Sequence, residues 1–199
     1  MTIPLRQLLR SVAVMIALGV ANAVAPSLAA AQAGSVDLGA CNSATLSTPF
    51  IPWVDPASYE LAPGGDFEGS SWTLSDGAAL SAGSEPFAAT GTAGASSLSL
   101  PAGASAQSPA TCVDAAYPTI RFFIAGTGSV AVGVVYDGVY LPAGVAVASG
   151  GWQPTALMLT SAAVPAALAG GETQVSLRLT ALTGSPRVDD VFIDPWNRG

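Results

Sequence analysis

The alternation of apolar and polar residues with a period of two restricts the fold of this chain most. In "TQVSLRLTAL", from Thr173 to Leu182, valine and leucine alternate with serine, arginine and threonine. Successive side chains of a β-strand point to opposite faces, so this pattern predicts a strand with one buried and one wet face. The same period recurs in "PTIRFFIAG" and "SVAVGVVYDG", and helical periodicity is nearly absent after residue 33. We therefore expect an all-β chain, an antiparallel β-sandwich of jelly-roll type with roughly eight strands.

Turn signals separate these runs. Asp137-Gly138 predicts a β-hairpin, and "GTGSVAVG", which begins at Gly126, is interpreted as a turn that leads into a strand. The stretch "AGASAQSPATC", from Ala102 to Cys112, has the composition of a surface loop.

The first 33 residues have the pattern of a secretory signal. Arg6 and Arg10 precede an uncharged, mostly apolar run, and Ala31 and Ala33 form the small-residue pair that a signal peptidase reads. The apolar run is shorter than the roughly 20 residues that a transmembrane helix needs. We expect cleavage after Ala33, a secreted product that is extracellular or bound at the cell surface, and no membrane span in the mature chain.

Three segments follow from this division. Residues 1–33 are the signal, residues 34–63 are a proline-rich, extended lead-in packed on the sandwich, and residues 64–199 are the sandwich itself.

The charge balance excludes several partners. Loss of Arg6 and Arg10 leaves four arginines against 13 acidic residues, a net charge near −9, with no histidine or lysine. Nucleic acid is not expected as a partner, because little in the chain can neutralise phosphates. Neutral ligands and calcium suit the balance better.

Missing side chains also exclude reaction classes. A Ser-His-Asp or Cys-His site requires histidine, and a Schiff base requires lysine. A pair of carboxylates could still hydrolyse glycosides, but most of the acidic residues adjoin glycine or proline in apparent turns. We expect no enzymatic activity.

The two cysteines, Cys41 and Cys112, both lie in the exported part. Two cysteines in an oxidising compartment usually pair. A zinc site or a reactive thiol would need partners that this chain lacks. We expect one disulfide between them.

Two acidic stretches stand out, "GGDFEGSSW" near the start of the sandwich and "RVDDVFIDP" near its end. In a regular strand Val188, Asp190 and Phe192 would share one face, so a carboxylate would lie among bulky apolar groups. Calcium prefers several oxygen ligands, and Glu68 and Asp190, with Asp66 as a third candidate, could supply them if the two stretches are neighbours. The alternative is that Asp190 accepts hydrogen bonds from the backbone or from Arg187, or simply lies at the rim of a sheet.

The same two stretches carry a family resemblance. "GDFE" followed by a tryptophan, with "VDDVFID" more than a hundred residues later, resembles the galactose-binding-like jelly rolls, among them carbohydrate-binding modules of bacterial polysaccharide hydrolases. The resemblance implies a structural calcium site that uses Glu68 and Asp190. The lead-in and "GGWQPT" also resemble uncharacterised secreted proteins of high-GC bacteria, which bring no known activity.

Aromatic side chains are the natural candidates for contact with sugar rings. Tyr136 and Tyr140 flank the predicted hairpin turn, and Trp152 follows a glycine pair before a strand. Core packing is the competing role for each ring. The chain is thus expected to be a secreted, non-catalytic binding module for neutral carbohydrate, such as a polysaccharide or a cell-surface glycan. The alternative is a structural or interaction protein of the cell envelope without a small ligand.

Overall fold

A computed structural model describes residues 45–69, 71–113, 119–160 and 173–194, which belong to one compact unit, Val36–Gly199. Eleven strands and a short 3-10 helix, Ile51–Trp53, make up the described part. The strands are β1 (Leu46–Ser47), β2 (Tyr59–Leu61), β3 (Thr73–Ser75), β4 (Ala79–Ala82), β5 (Ser96–Ser99), β6 (Ser105–Val113), β7 (Thr119–Tyr136), β8 (Val139–Pro154), β9 (Met158–Leu159), β10 (Thr173–Gly184) and β11 (Arg187–Asp194).

The strand pairs are antiparallel and form a β-sandwich of jelly-roll type, which confirms the predicted fold class. The order through the sheet is β1-β2-β11-β7-β10-β6-β3, with β8 and β9 on β7, and β5 joining β4 to β11. The first half of β7 pairs with β11 and its second half with β10. One long strand therefore serves both halves of the sandwich.

The hairpin between β7 and β8 turns at Asp137-Gly138, as predicted. Both residues have positive φ, 48° and 76°, which suits a type I′ turn. Tyr136 pairs with Val139 across it.

Two glycines permit the close approach of β7 and β10 beyond the register shift between Ala181 and Thr183. Gly128 and Gly184 have positive φ, and a Cβ on Gly128 would come within 2.0 Å of the Thr183 carbonyl oxygen. The stretch from Gly126 is part of β7, where we expected a turn.

Apolar residues form two clusters. The larger one fills the interior of the sandwich and includes Phe67, Trp72, Phe122 and Leu179. The smaller one contains Phe50, Tyr59, Phe123 and Phe192, with Trp53 and Trp152 packed against it. Residues of the lead-in thus contribute to a second core, which shares β7 and β11 with the first.

Polar contacts also tie the lead-in to the sheet. Arg121, on β7, forms an ion pair with Asp55, and Tyr59 donates a hydrogen bond of 2.8 Å to the same carboxylate. The Arg121 guanidinium lies 4.4 Å from the centre of the Phe50 ring.

Several segments lie outside the described residues, including the proposed signal and Cys41. The side chain of Cys112 is not described either, so the disulfide stays a prediction. None of the described residues forms a helix long and apolar enough to cross a bilayer.

Candidate functional site

An open groove of about 410 Å³ lies on the outer face of β8, β7 and β10. The side chains that line it are Ala131, Tyr140, Arg178, Thr180 and Leu182. They come from three neighbouring strands, so strand register decides which of them meet.

The alternation in β10 places two polar side chains in the groove. Leu177 and Leu179 are fully buried, and Arg178 and Thr180 point to the other face. Thr180 pairs with Ala131, and Arg178 pairs with Gly133 of β7. The wet face predicted for this strand is therefore one wall of the groove.

Tyr140 contributes the aromatic surface. Its ring lies over Gly133, where a Cβ would come within 2.6 Å of Cε2. The absent side chain at Gly133 makes room for the ring, and Tyr140 remains 38% exposed. Burial raises the pKa of the Tyr140 hydroxyl, while the nearby positive charge of Arg178 acts in the opposite direction.

Exposed apolar residues extend the groove along the same face. Leu182 is 52% exposed, and Val145 and Val147, opposite Ala131 and Ser129, are 56% and 62% exposed. Contiguous exposed apolar surface is characteristic of a binding site.

The other two predicted aromatic residues lie elsewhere. Tyr136 is partly buried against the interior cluster. Trp152 packs on the smaller cluster, and its ring centre lies 5.6 Å from the guanidinium carbon of Arg187. Of the three rings, Tyr140 is the one that lines the groove.

Arg178, Thr180 and Leu182 were not among the predicted site residues. The alternation in β10 indicated that Arg178 and Thr180 face away from the core. Which strands flank them depends on the pairing of β10 with β7, and local patterns carry no signal for that pairing.

The second candidate site, around Asp190, is a buried acidic cluster. Glu85, Asp189 and Asp190 are 2%, 0% and 3% exposed. Asp189 accepts hydrogen bonds from the backbone N–H groups of Glu85, at 2.8 Å, and Asp190, at 3.0 Å. Glu85 accepts bonds from the N–H groups of Phe87 and Ala89.

Burial and the neighbouring negative charges act together on these carboxyl groups. Burial raises the pKa of Asp189 to about 6. Burial, then the charges of Asp189 and Glu85, raise the pKa of Asp190 to about 8. Glu85 also bonds to the Asp190 side chain in a way that raises this pKa. Burial and the neighbouring negative charges thus favour the neutral form of Asp190, which reduces the repulsion between the two adjacent aspartates.

The predicted calcium ligands are only partly brought together. Asp66 is among the charges that raise the pKa of Asp190. Glu68 accepts bonds from the N–H groups of Ala95, at 2.7 Å, and Ser96, at 2.8 Å. Both donors go to the same oxygen, Oε1 of Glu68, so backbone N–H groups already occupy part of this carboxylate.

Among the described residues, no three acidic, histidine or cysteine side chains are grouped so that they could hold a metal ion. Calcium binding therefore remains a prediction.

Comparison with known proteins yields partial structural similarities. No protein-family model and no curated protein matches the sequence. The C-terminal CBM6 of LamC, a marine laminarinase from Zobellia galactanivorans, has a TM-score of 0.43 and 13% identity over 61% of this chain and 90% of its own. The CBM22-1–GH10 modules of Clostridium thermocellum xylanase 10B have a TM-score of 0.44 and 15% identity, over 70% of this chain and 28% of their own.

The K1 cleaved adhesin domain of Lys-gingipain from Porphyromonas gingivalis W83 gives a TM-score of 0.43 and 12% identity over 65% of this chain and 93% of its own. The similar structures therefore include carbohydrate-binding modules, and some come from enzymes. With TM-scores below 0.5, these similarities carry no functional conclusion for this chain.

Proposed function

We propose that this chain is a secreted, non-catalytic module that binds carbohydrate through the groove on β7, β8 and β10. The observation that carries the proposal is the Tyr140 ring held over Gly133, with Arg178 and Thr180 beside it. A sugar ring has an apolar face and a polar edge. An aromatic ring next to hydrogen-bonding side chains is complementary to both.

The chemistry of the groove suits binding and not hydrolysis. Glycoside hydrolysis uses two carboxyl groups on either side of the scissile bond, and the residues that line the groove include no carboxylate. The carboxyl groups of the buried acidic cluster, at Glu85, Asp189 and Asp190, take no part in lining it.

Binding of the mature chain, residues 34–199, to a panel of soluble and insoluble polysaccharides tests the proposal. Tyr140→Ala should weaken retention on the bound glycan roughly tenfold or more, because it removes the stacking surface. Leu159→Ala, which truncates an exposed side chain on β9 (55% exposed), should bind as the parent does. Equal binding by Tyr140→Ala would place the sugar site elsewhere.

Each binding measurement with calcium is paired with one in chelator. We propose that calcium has a structural role and that the side chains of Asp190, Glu68 and Asp66 are its ligands. It predicts that chelator lowers the free energy of unfolding. Unchanged stability in chelator would contradict it and leave the groove proposal intact.

The second candidate function, a protein-interaction module of the envelope, is favoured by the exposed side chains of Val145, Val147 and Leu182. Apolar strips of this kind also suit contact with another protein. Failure to retain any glycan, with the chain folded, would make this the function to pursue.

A further inference from the structure

We infer that the groove selects acidic glycans, with the carboxylate of a uronic acid residue bound by the Arg178 guanidinium. This inference rests on the proposed function and names the ligand class for the same groove. The ligand inferred here is acidic, whereas the charge balance of the sequence had suggested a neutral carbohydrate.

The first argument concerns the ion pairs and hydrogen bonds of the described arginines. Arg121 is paired with Asp55 and also donates to the Thr155 carbonyl. Arg187 donates to Ser97 and to the carbonyls of Ala82 and Gly83. Arg178 forms no ion pair with any residue in the described part of the chain. Arg187 likewise forms no ion pair, but its N–H donors are taken by these neutral acceptors, so Arg178 is the arginine whose guanidinium has neither an ion pair nor a hydrogen bond among the described residues.

The second argument is the local charge around the groove. Four adjacent strands, in the order β8-β7-β10-β6, contain no aspartate or glutamate. Arg178 lies between Gly133 on one neighbouring strand and Gln107 on the other. In a chain with 13 acidic residues, this face is therefore free of negative charge along its strands.

The third argument is geometric. Arginine presents a planar fork of N–H donors that matches a carboxylate, and such paired bonds are stronger than bonds to a neutral hydroxyl. Arg178 and Tyr140 line the same groove, and Arg178 is paired with Gly133, over which the Tyr140 ring lies. A uronic acid stacked on Tyr140 would therefore carry its carboxylate at the ring edge beside the guanidinium, with Thr180 available to a hydroxyl.

The net negative charge of the protein does not prevent this contact. At physiological ionic strength, charges are screened beyond about 8 Å. The local charge in the groove then determines which sugars are preferred, and the distant acidic residues mainly slow the approach of the polymer.

The experiment compares polygalacturonate with its methyl-esterified form, which has the same rings without the negative charge. Neutral glycans of the panel are included, and all binding is measured in chelator so that calcium cannot bridge carboxylates. We expect the free acid to bind at least tenfold more tightly than the ester. Arg178→Gln should remove most of this preference, and Arg178→Lys should retain part of it.

Thr92→Glu is the matched control, because it makes the same change in net charge in an exposed loop between β4 and β5, outside the groove. It should leave the preference unchanged. Equal or tighter binding of the ester, or retention on neutral glycans alone, would overturn the acidic-glycan inference while the carbohydrate function stands. No retention on any glycan, by a chain shown to be folded in chelator, would overturn both.

Discussion

Asp190 combines two unfavourable features at one residue. It has a positive φ of 46° at an irregularity in the pairing of β11 with β7, and its carboxyl group is buried beside Asp189 and Glu85. An aspartate in an unfolded chain has a pKa near 3.9, whereas here it is raised to about 8. Because the folded chain holds this proton more tightly, its contribution to stability is complete below about pH 4 and is lost as the pH rises through 8.

We predict that Asp190→Asn flattens the pH dependence of stability between pH 5 and 8.5. The parent should lose free energy of unfolding over this range, and Asp189, with its pKa raised to about 6, adds to the loss. Asparagine stays neutral and can still donate a hydrogen bond to Glu85. Urea unfolding in chelator measures the effect, and Asp137→Asn, in the exposed hairpin turn, should keep the slope of the parent. A parent whose stability rises with pH would contradict the prediction.

At the level of the strand, the alternation of side chains in β11 does not predict which face each side chain occupies. A regular strand would place Val188, Asp190 and Phe192 on one face. The register shift between Asp189 and Phe192 breaks the period, so Val188, Val191 and Ile193 lie in the interior cluster and Phe192 in the smaller one. A bulge depends on tertiary pairing, and the residues "VDDVF" alone do not indicate it.

Strand β6 was missed for a related reason. Its sequence, "SAQSPATCV", is rich in serine and alanine and was expected to be a loop. It pairs with β10 on one side and β3 on the other. Small polar residues have weak strand preference, and here backbone pairing between two neighbours overrides it.

The packing of β8 on β7 leads to a prediction about Gly133. A Cβ at this position would come within 2.5 Å of the Leu141 carbonyl oxygen and 2.6 Å of the Tyr140 ring. Gly133→Ala should therefore displace the ring, weaken glycan binding and lower the free energy of unfolding by about 1–3 kcal/mol. Gly151→Ala, in the same strand pair, has open space around its Cβ and should cost less than about 0.5 kcal/mol. Similar losses in both variants would show that the ring does not depend on Gly133.

For the whole molecule, the fold class followed from the sequence, whereas of the residues that line the groove only Tyr140 did. The period of two is a local property and predicts strands with one buried face, as in β10. The groove joins residues from Ala131 to Leu182 on three strands, so it exists only once register is fixed. Tyr140 could be proposed from its place beside a turn, but its support by Gly133 depends on the pairing of two strands.

The two apolar clusters share strands, and this predicts that they unfold together. Phe122 and Phe123 are neighbours on β7 but belong to different clusters, as do Phe192 and Ile193 on β11. Phe50→Ala should therefore lower the free energy of unfolding of the whole unit by about 3–5 kcal/mol, although Phe50 lies outside the interior cluster. Urea unfolding followed by tryptophan fluorescence and by far-UV circular dichroism should give one coincident transition in parent and variant. If the fluorescence change preceded the loss of strand signal, the lead-in would form a separate, weaker unit, and the shared strands would not couple the two clusters.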